Sequence, residues 1–354
     1  MSTSTPWLLY GANGYTGELI AREAVARGMR PVLAGRSKQK IAKLAAELNC
    51  PSAVFDLDDH TALCSTLSQV AAVLHCAGPF SHTAPSMMQA CLATHVHYLD
   101  ITGEIDVFEL AASVHGKAQR SGIVLCPGVG FDVVPTDCVA ARLREALPDA
   151  THLALGFDSR AGLSKGTAKT AIESASKGSC VRIDGRLVTE KLASRTRRID
   201  FGAGEKLGVS IPWGDVSTAY YSTGIPNIEV YTATSQKSAN SMRRANLFRP
   251  LLRQGWFREL AKFSAQRRIT PPNKTERENN PTHVWGEARN AAGEVKTARL
   301  RTANGYSLTV HASLGILGEV LSRACNPGFT TPSLLVGADF VSSLPGSSTI
   351  RIDP

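Results

Sequence analysis

The feature that most constrains this chain is a junction near its start, "LLYGANGYTGELIA" (residues 8–21). There an apolar run passes through Gly11, Gly14 and Gly17 into a helical pattern. Gly11 permits a tight turn out of a strand. Gly14 lets an anionic group approach backbone amides, and Gly17 lets the next helix pack closely on the sheet. Unpaired N–H groups and the positive helix end favour a diphosphate at such a turn. Three glycines alone say little, but a strand before and a helix after supply the context of a dinucleotide-binding turn.

The first 126 residues continue that alternation. Strands are expected at 6–12, 30–35, 52–57, 71–77, 96–101 and 123–126, with helical spacing over 14–28, 37–49, 58–69, 82–95 and 106–122. Short apolar strands, each followed by a helix, predict a parallel sheet covered on both faces. Right-handed crossovers make it a doubly wound, Rossmann-type α/β domain. Beyond Pro127 the texture changes. A helix is expected over 135–147, and the alternating segments 151–162, 180–191, 209–224 and 228–236 predict a second α+β domain of mostly antiparallel strands. Turn signals at Ala292-Gly293 and Asn304-Gly305 predict a hairpin over 283–314, followed by a helix at 314–325 and a Pro/Gly/Ser-rich tail.

The end of the second strand decides which dinucleotide fits. An NAD-binding fold places a carboxylate there, on the ribose diol; this chain reads "AGRSKQK" (34–40), with Arg36, Ser37 and Lys40 instead. A guanidinium grips a 2′-phosphate that a carboxylate would repel, so NADP(H) is the expected cofactor. Asp56, closing the third strand, is expected near the adenine. "HCAGPF" (75–80) would bring Cys76, Ala77, Gly78, Pro79 and Phe80 close to the nicotinamide ribose. Cys76 has no evident base partner and reads as a small packed thiol. Hydride transfer also needs a proton donor when negative charge develops on the substrate. Tyr98, Asp100 and Glu104 at the end of the fifth strand, and Asp132 beyond the sixth, are the candidates. A cap at Asp100 and an Asx turn at Asp132 explain these two equally well. His95 and His97 flank the same strand, and their alternation suggests that one of them is simply at the surface. None of the seven tyrosines is followed four residues later by lysine, which excludes the Tyr-x-x-x-Lys chemistry of short-chain dehydrogenases.

These segments together resemble the saccharopine dehydrogenase-like reductases, and especially the branch called trans-acting enoyl reductases. "GANGYTGELIA" with "LAGRS", then "CAGPF", "YLDITGE" (98–104), "PGVGFDVVPTD" (127–137), "GLSKGTAKT" (162–170) and "TPSLLVGADFVSSLPG" (331–346) follow in the family's order. Lys165 departs from the pattern, standing where the branch has the first glycine of a Ser-Gly-Gly-Thr segment. The resemblance implies an NADP-binding domain over 1–127, with cofactor contacts that include Asn13, Tyr15 and Thr16. It implies a substrate or dimerisation domain over 128–315, and a C-terminal segment, 316–354, packing back on the first. It further implies hydride transfer to an activated C=C or C=N bond of a small molecule or acyl thioester. Ser164, Lys165 and Thr167 would face the substrate, although a plain helix start accounts for them too. A non-catalytic NADP(H)-sensing scaffold is the alternative.

Composition narrows the partners. Apolar residues make up 43% and charged residues 19%, as in an ordinary globular protein. The eight cysteines include no Cys-x-x-Cys pair, so neither a metal site nor a redox dithiol is expected. The start of the chain lacks the pattern of a signal peptide, and a cytoplasmic protein is expected. The net charge of +9 is concentrated in 241–268, where arginines and lysines face a single acid, Glu259, opposite an apolar stripe. A solvated basic face or a homodimer contact is the plain reading, and a weak membrane-surface contact the sharper one. No recognition motif accompanies the charge, so no nucleic acid is expected.

Overall fold

A computed structural model of the protein describes residues 5–159, 177–248 and 273–353. It divides into two compact units. Met1–Thr102, Asp106–Phe131 and Thr309–Val336 form the first; Gly103–Ile105, Asp132–Leu308 and Gly337–Pro354 form the second.

The first unit is built on β1 (Trp7–Tyr10), β2 (Val32–Gly35), β3 (Ser52–Val54), β4 (Ala72–His75), β5 (His97–Asp100) and β6 (Val124–Cys126). All pair in parallel in the order β6-β5-β4-β1-β2-β3, and a two-residue strand, Gly328–Phe329, adds beyond β6. The chain therefore reverses direction between β1 and β4, the switch point outside which such sheets bind ligands. Every residue of β1 and β4 is buried, so both faces of the sheet are covered, as the continuous apolar runs require. The connections hold α1 (Tyr15–Ala26), α2 (Lys38–Leu48), α3 (His60–Leu67), α4 (Phe80–Thr94), α5 (Ile105–Ser113) and α6 (His115–Ser121). The last two replace the single helix expected over 106–122. The Ser113 hydroxyl donates to the Leu110 carbonyl (2.7 Å), giving the backbone an alternative to the helical ladder where the break falls.

The second unit opens with α7 (Val134–Ala146), then β7 (Ala150–Asp158), β8 (Ser179–Ile183), β9 (Arg186–Glu190), β10 (Thr196–Asp200) and β11 (Glu205–Ser210). It continues with α8 (Asp215–Thr223), β12 (Asn227–Thr234), α9 (Gln236–Ala245), β13 (Thr282–Asn290) and β14 (Val295–Thr302). The sheet runs β10-β11-β12-β7-β13-β14, with β8 against β12 and β9 against β8. Only β12 and β7 pair in parallel, which makes the sheet mixed and mostly antiparallel.

Two expectations are corrected here. Residues 209–224 are not one strand segment: Pro212 and Gly214 stop β11, and α8 follows until Gly224 closes it at φ +72°. Ala292-Gly293 does turn a hairpin, with Gly293 at φ +88°, but Asn304-Gly305 begins a helix, Gly305–Ser322. The Asn304 side chain accepts from the Tyr306 N–H (3.0 Å), as an N-cap does. This helix takes in 314–322 of the helix expected over 314–325 and starts earlier, with Leu308, Ala312, Ser313, Ile316 and Leu317 fully buried along one side. The tail also differs from the resemblance. Residues 337–354 belong to the second unit, where Arg351–Asp353 pairs antiparallel with β14 and Asp353 accepts from Arg299 (2.6 Å). Among the described residues, no helix is long and apolar enough to cross a membrane.

Candidate functional site

The glycine turn joins β1 to α1 at the switch point. A Cβ on Gly11 would stand 2.9 Å from the backbone of Cys76 and Ala77, and one on Gly17 only 2.3 Å from the Gly11 carbonyl oxygen. Internal packing thus demands both. Gly14 differs: it is exposed, has an ordinary φ of −78°, and would meet only the Gly11 oxygen, at 3.2 Å. Its missing side chain mainly opens the outer face of the turn. Gly14 is also the N-cap of α1, with no side chain capping the helix, so the helix start faces outward without an internal acceptor of that kind. Asn13 leans over the end of β2, its Oδ1 lying 2.9 Å from where a Cβ on Gly35 would be. Tyr15 and Thr16 form the first turn of α1 and are half-buried. This open cradle fits a nucleotide diphosphate.

Arg36 closes β2 with its side chain 75% exposed, and Ser37 is the N-cap of α2, its hydroxyl not engaged in capping. Lys40 is exposed one turn on. The Arg36 guanidinium lies 3.7 Å from the Asp56 carboxylate, an open pair of the kind that contributes little to stability. The guanidinium is therefore available to an incoming phosphate.

At the end of β4, Cys76 and Ala77 are half-buried, Gly78 is exposed, and Pro79 caps α4, whose first residue is Phe80. Burial, together with the nearby Asp100 charge, pushes the Cys76 thiol up, away from thiolate chemistry. Sequence reasoning missed the residue that shapes this turn. His75 is fully buried, and its Nε2 lies 2.9 Å from the Thr83 hydroxyl, which itself donates to the Ala77 carbonyl (2.7 Å). Thr83 has one proton to give, so His75 donates through Nε2–H. Burial drives its pKa down to about 3 and keeps it neutral. Its Nδ1 has no partner among the described residues. The spacing "HCAGPFSHT" contains both ends of this tie, but nothing in it distinguishes His75 from a surface histidine.

Tyr98 and Asp100 lie on the same face of β5, completely buried, with the tyrosine hydroxyl donating to Asp100 Oδ2 (2.5 Å). Asp100 Oδ1 accepts from the Thr102 and Gly128 amides, both at 2.9 Å. This carboxylate binds two loops together, and the arrangement leaves neither residue free to hand a proton to a substrate. The flanking histidines are ties as well. His97 Nδ1 accepts from the Val124 N–H (3.0 Å), and His95 Nδ1 donates to the Ser121 carbonyl (2.9 Å).

A second acidic group belongs to the other unit. Asp132 lies two residues ahead of α7, against Gly103, where an added Cβ would fall 2.8 Å from Oδ2. It is half-buried and has no hydrogen-bond donor among the described residues. Burial and the neighbouring Glu104 charge raise its pKa to about 7. Asp215, the first residue of α8, is completely buried, and among the described residues neither carboxyl oxygen has a hydrogen bond of normal geometry. Burial holds it well above the usual carboxylate range, the charges of Asp137 and Asp132 add to that, and nearby Thr136 acts in the opposite sense. Sequence reading missed Asp215 because it expected a strand there. Ser164, Lys165 and Thr167, and 249–268 of the basic segment, lie outside the described residues.

Comparison with known proteins agrees with this geometry. The saccharopine dehydrogenase NADP-binding domain model matches residues 7–126. The trans-acting enoyl reductase of Mycobacterium leprae is 31% identical over 153 residues, 41% of this chain and 37% of that protein. The saccharopine dehydrogenase-like oxidoreductase of Bos taurus is 27% identical over 150 residues, 37% of this chain and 35% of that protein. The chain thus spans little more than a third of the length of these relatives. Apo saccharopine dehydrogenase (L-Glu forming) from Saccharomyces cerevisiae superimposes with a TM-score of 0.69, at 10% identity, over 99% of both chains, so the fold is shared. Over residues 7–126 the chain is thus similar to saccharopine dehydrogenase NADP-binding domains.

Proposed function

We propose that the chain is an NADPH-dependent reductase delivering hydride to an activated C=C or C=N bond. The observation that carries this reading is the open Gly11–Gly17 turn combined with Arg36, rather than a carboxylate, at the end of β2. The names of the relatives, an enoyl reductase and a saccharopine dehydrogenase-like oxidoreductase, support the reaction class. NADPH, when bound, supplies the hydride. The protein contributes backbone amides for the diphosphate, Arg36 with Ser37 and Lys40 for the 2′-phosphate, and the Cys76–Phe80 turn, fixed by His75 and Thr83, as a wall of the cofactor site.

Asp132 is the proposed proton donor. A carboxyl that titrates near pH 7 is matched to general acid work, and Asp132 has no hydrogen bond among the described residues to give up. Tyr98 and Asp100 are not carried forward in this role. The test follows NADPH absorbance across a panel of enoyl thioesters and cyclic imines. Oxidation dependent on one class is expected. Tight NADPH binding without turnover on any of them would instead favour the sensing scaffold.

A further inference from the structure

The sheet of the second unit ends in a strand that is complementary to itself. Among the described residues the β9 strand, "RLVTE", pairs only with β8. Residues 186–189 are all exposed, and Leu187 and Val188 each keep 37% of their surface open. The turn between β8 and β9 is Asp184-Gly185, with φ +47° and +76°, a two-residue hairpin loop. Ile183 and Arg186 therefore form the closing, hydrogen-bonded pair, and the bonding direction alternates from there. Leu187 and Thr189 consequently turn their N–H and C=O groups away from β8, toward the open edge. Exposed apolar edge strands with unpaired backbone are templates for another strand.

We infer that β9 is a homodimer edge, pairing antiparallel with the β9 of a second copy about a two-fold axis at Val188. In that register Leu187 meets the second copy's Thr189 through their outward backbone groups. Val188 faces its own counterpart in the close, non-hydrogen-bonded position. Arg186 stands opposite Glu190, twice by symmetry. A slip of two residues either way would set Arg186 against Val188, or Val188 against Glu190, and leave charges unmatched. Arg186 makes no ion pair among the described residues. Glu190 is held by Arg195 (2.6 Å) and Ser194 (2.7 Å), and a carboxylate has lone pairs for a further donor. Charge complementarity thus selects both the occupant and the register.

The experiment joins a mass measurement with a cross-link on the full chain. Sedimentation equilibrium across micromolar concentrations should give twice the chain mass, and Arg186→Glu should weaken dimerisation by about tenfold or more. Val188→Cys should form a disulfide-linked dimer under mild oxidation, reversible by thiol. Leu187→Cys, offset from the axis, should not exceed the wild-type background set by the eight native cysteines. All these positions are exposed, and circular dichroism checks that each variant folds. A monomer at every concentration would overturn the inference, as would a dimer indifferent to Arg186→Glu with no cross-link at 188.

Discussion

Two aspartates, one in each unit, are equally buried and solve the same physical problem in opposite ways. Asp100 is fully enclosed and takes hydrogen bonds from Tyr98, Thr102 and Gly128. Asp215 is fully enclosed and takes none among the described residues. A buried carboxyl with donors on both oxygens acts as a structural tie, whereas one without them is held protonated by its surroundings. Burial alone therefore says little about which acid does chemistry. The number of donors around it is what separates a clamp at the end of β5 from the high-pKa group formed by Asp132 and Asp215.

Substitutions should pull this pair apart. The largest effect is expected from Asp100→Ala, which strands the Tyr98 hydroxyl and two buried amides; a stability loss of about 3–5 kcal/mol in urea unfolding is expected. A loss below about 1 kcal/mol would erase the contrast. Next is Asp132→Asn, which should cut the reduction rate by roughly 10²–10⁴. In the wild type the rate should hold steady below pH 7 and fall above it, as the carboxyl loses its proton near pH 7.

Asp215→Asn should act on stability with the opposite sign to Asp100→Ala. The folded-state pKa of Asp215 lies above the unfolded value, so folding takes up a proton once the pH exceeds about 4, and the wild type weakens as pH rises from there. The asparagine variant escapes that cost. It should match wild type near pH 4 and be the more stable of the two at pH 8. Thermal melts at both values check the crossing. The smallest effect is expected at Asp56. Asp56→Asn frees Arg36 from its exposed partner and should tighten NADPH binding by about 0.5 kcal/mol, leaving NADH unchanged.

The first unit was largely legible because its signals are local. Gly11 and Gly17 each meet backbone atoms that leave no room for a side chain, and the buried runs of β1 and β4 read as continuous apolar strands. The second unit was less legible for the same reason in reverse. In 209–224 the alternation continues through Pro212 and Gly214, where the chain turns into α8, and this concealed Asp215. At Asn304-Gly305 the dipeptide reads as a turn signal, but the Asn304 side chain caps a helix there instead, so the start of Gly305–Ser322 was taken for a hairpin strand. Within the candidate site, the sequence singled out Arg36 and Asp132 as candidates but could not separate Asp132 from Asp100. That distinction depends on Tyr98 and on the Thr102 and Gly128 amides, whose approach to Asp100 no spacing encodes.

The most direct measurement is calorimetric titration of wild type and Arg36→Ala with NADPH and NADH. A guanidinium on the 2′-phosphate should make the wild type prefer NADPH, and the substitution should cost NADPH about 1–3 kcal/mol while leaving NADH nearly unchanged. Equal losses for the two nucleotides, or no uptake of either by the folded protein, would contradict it.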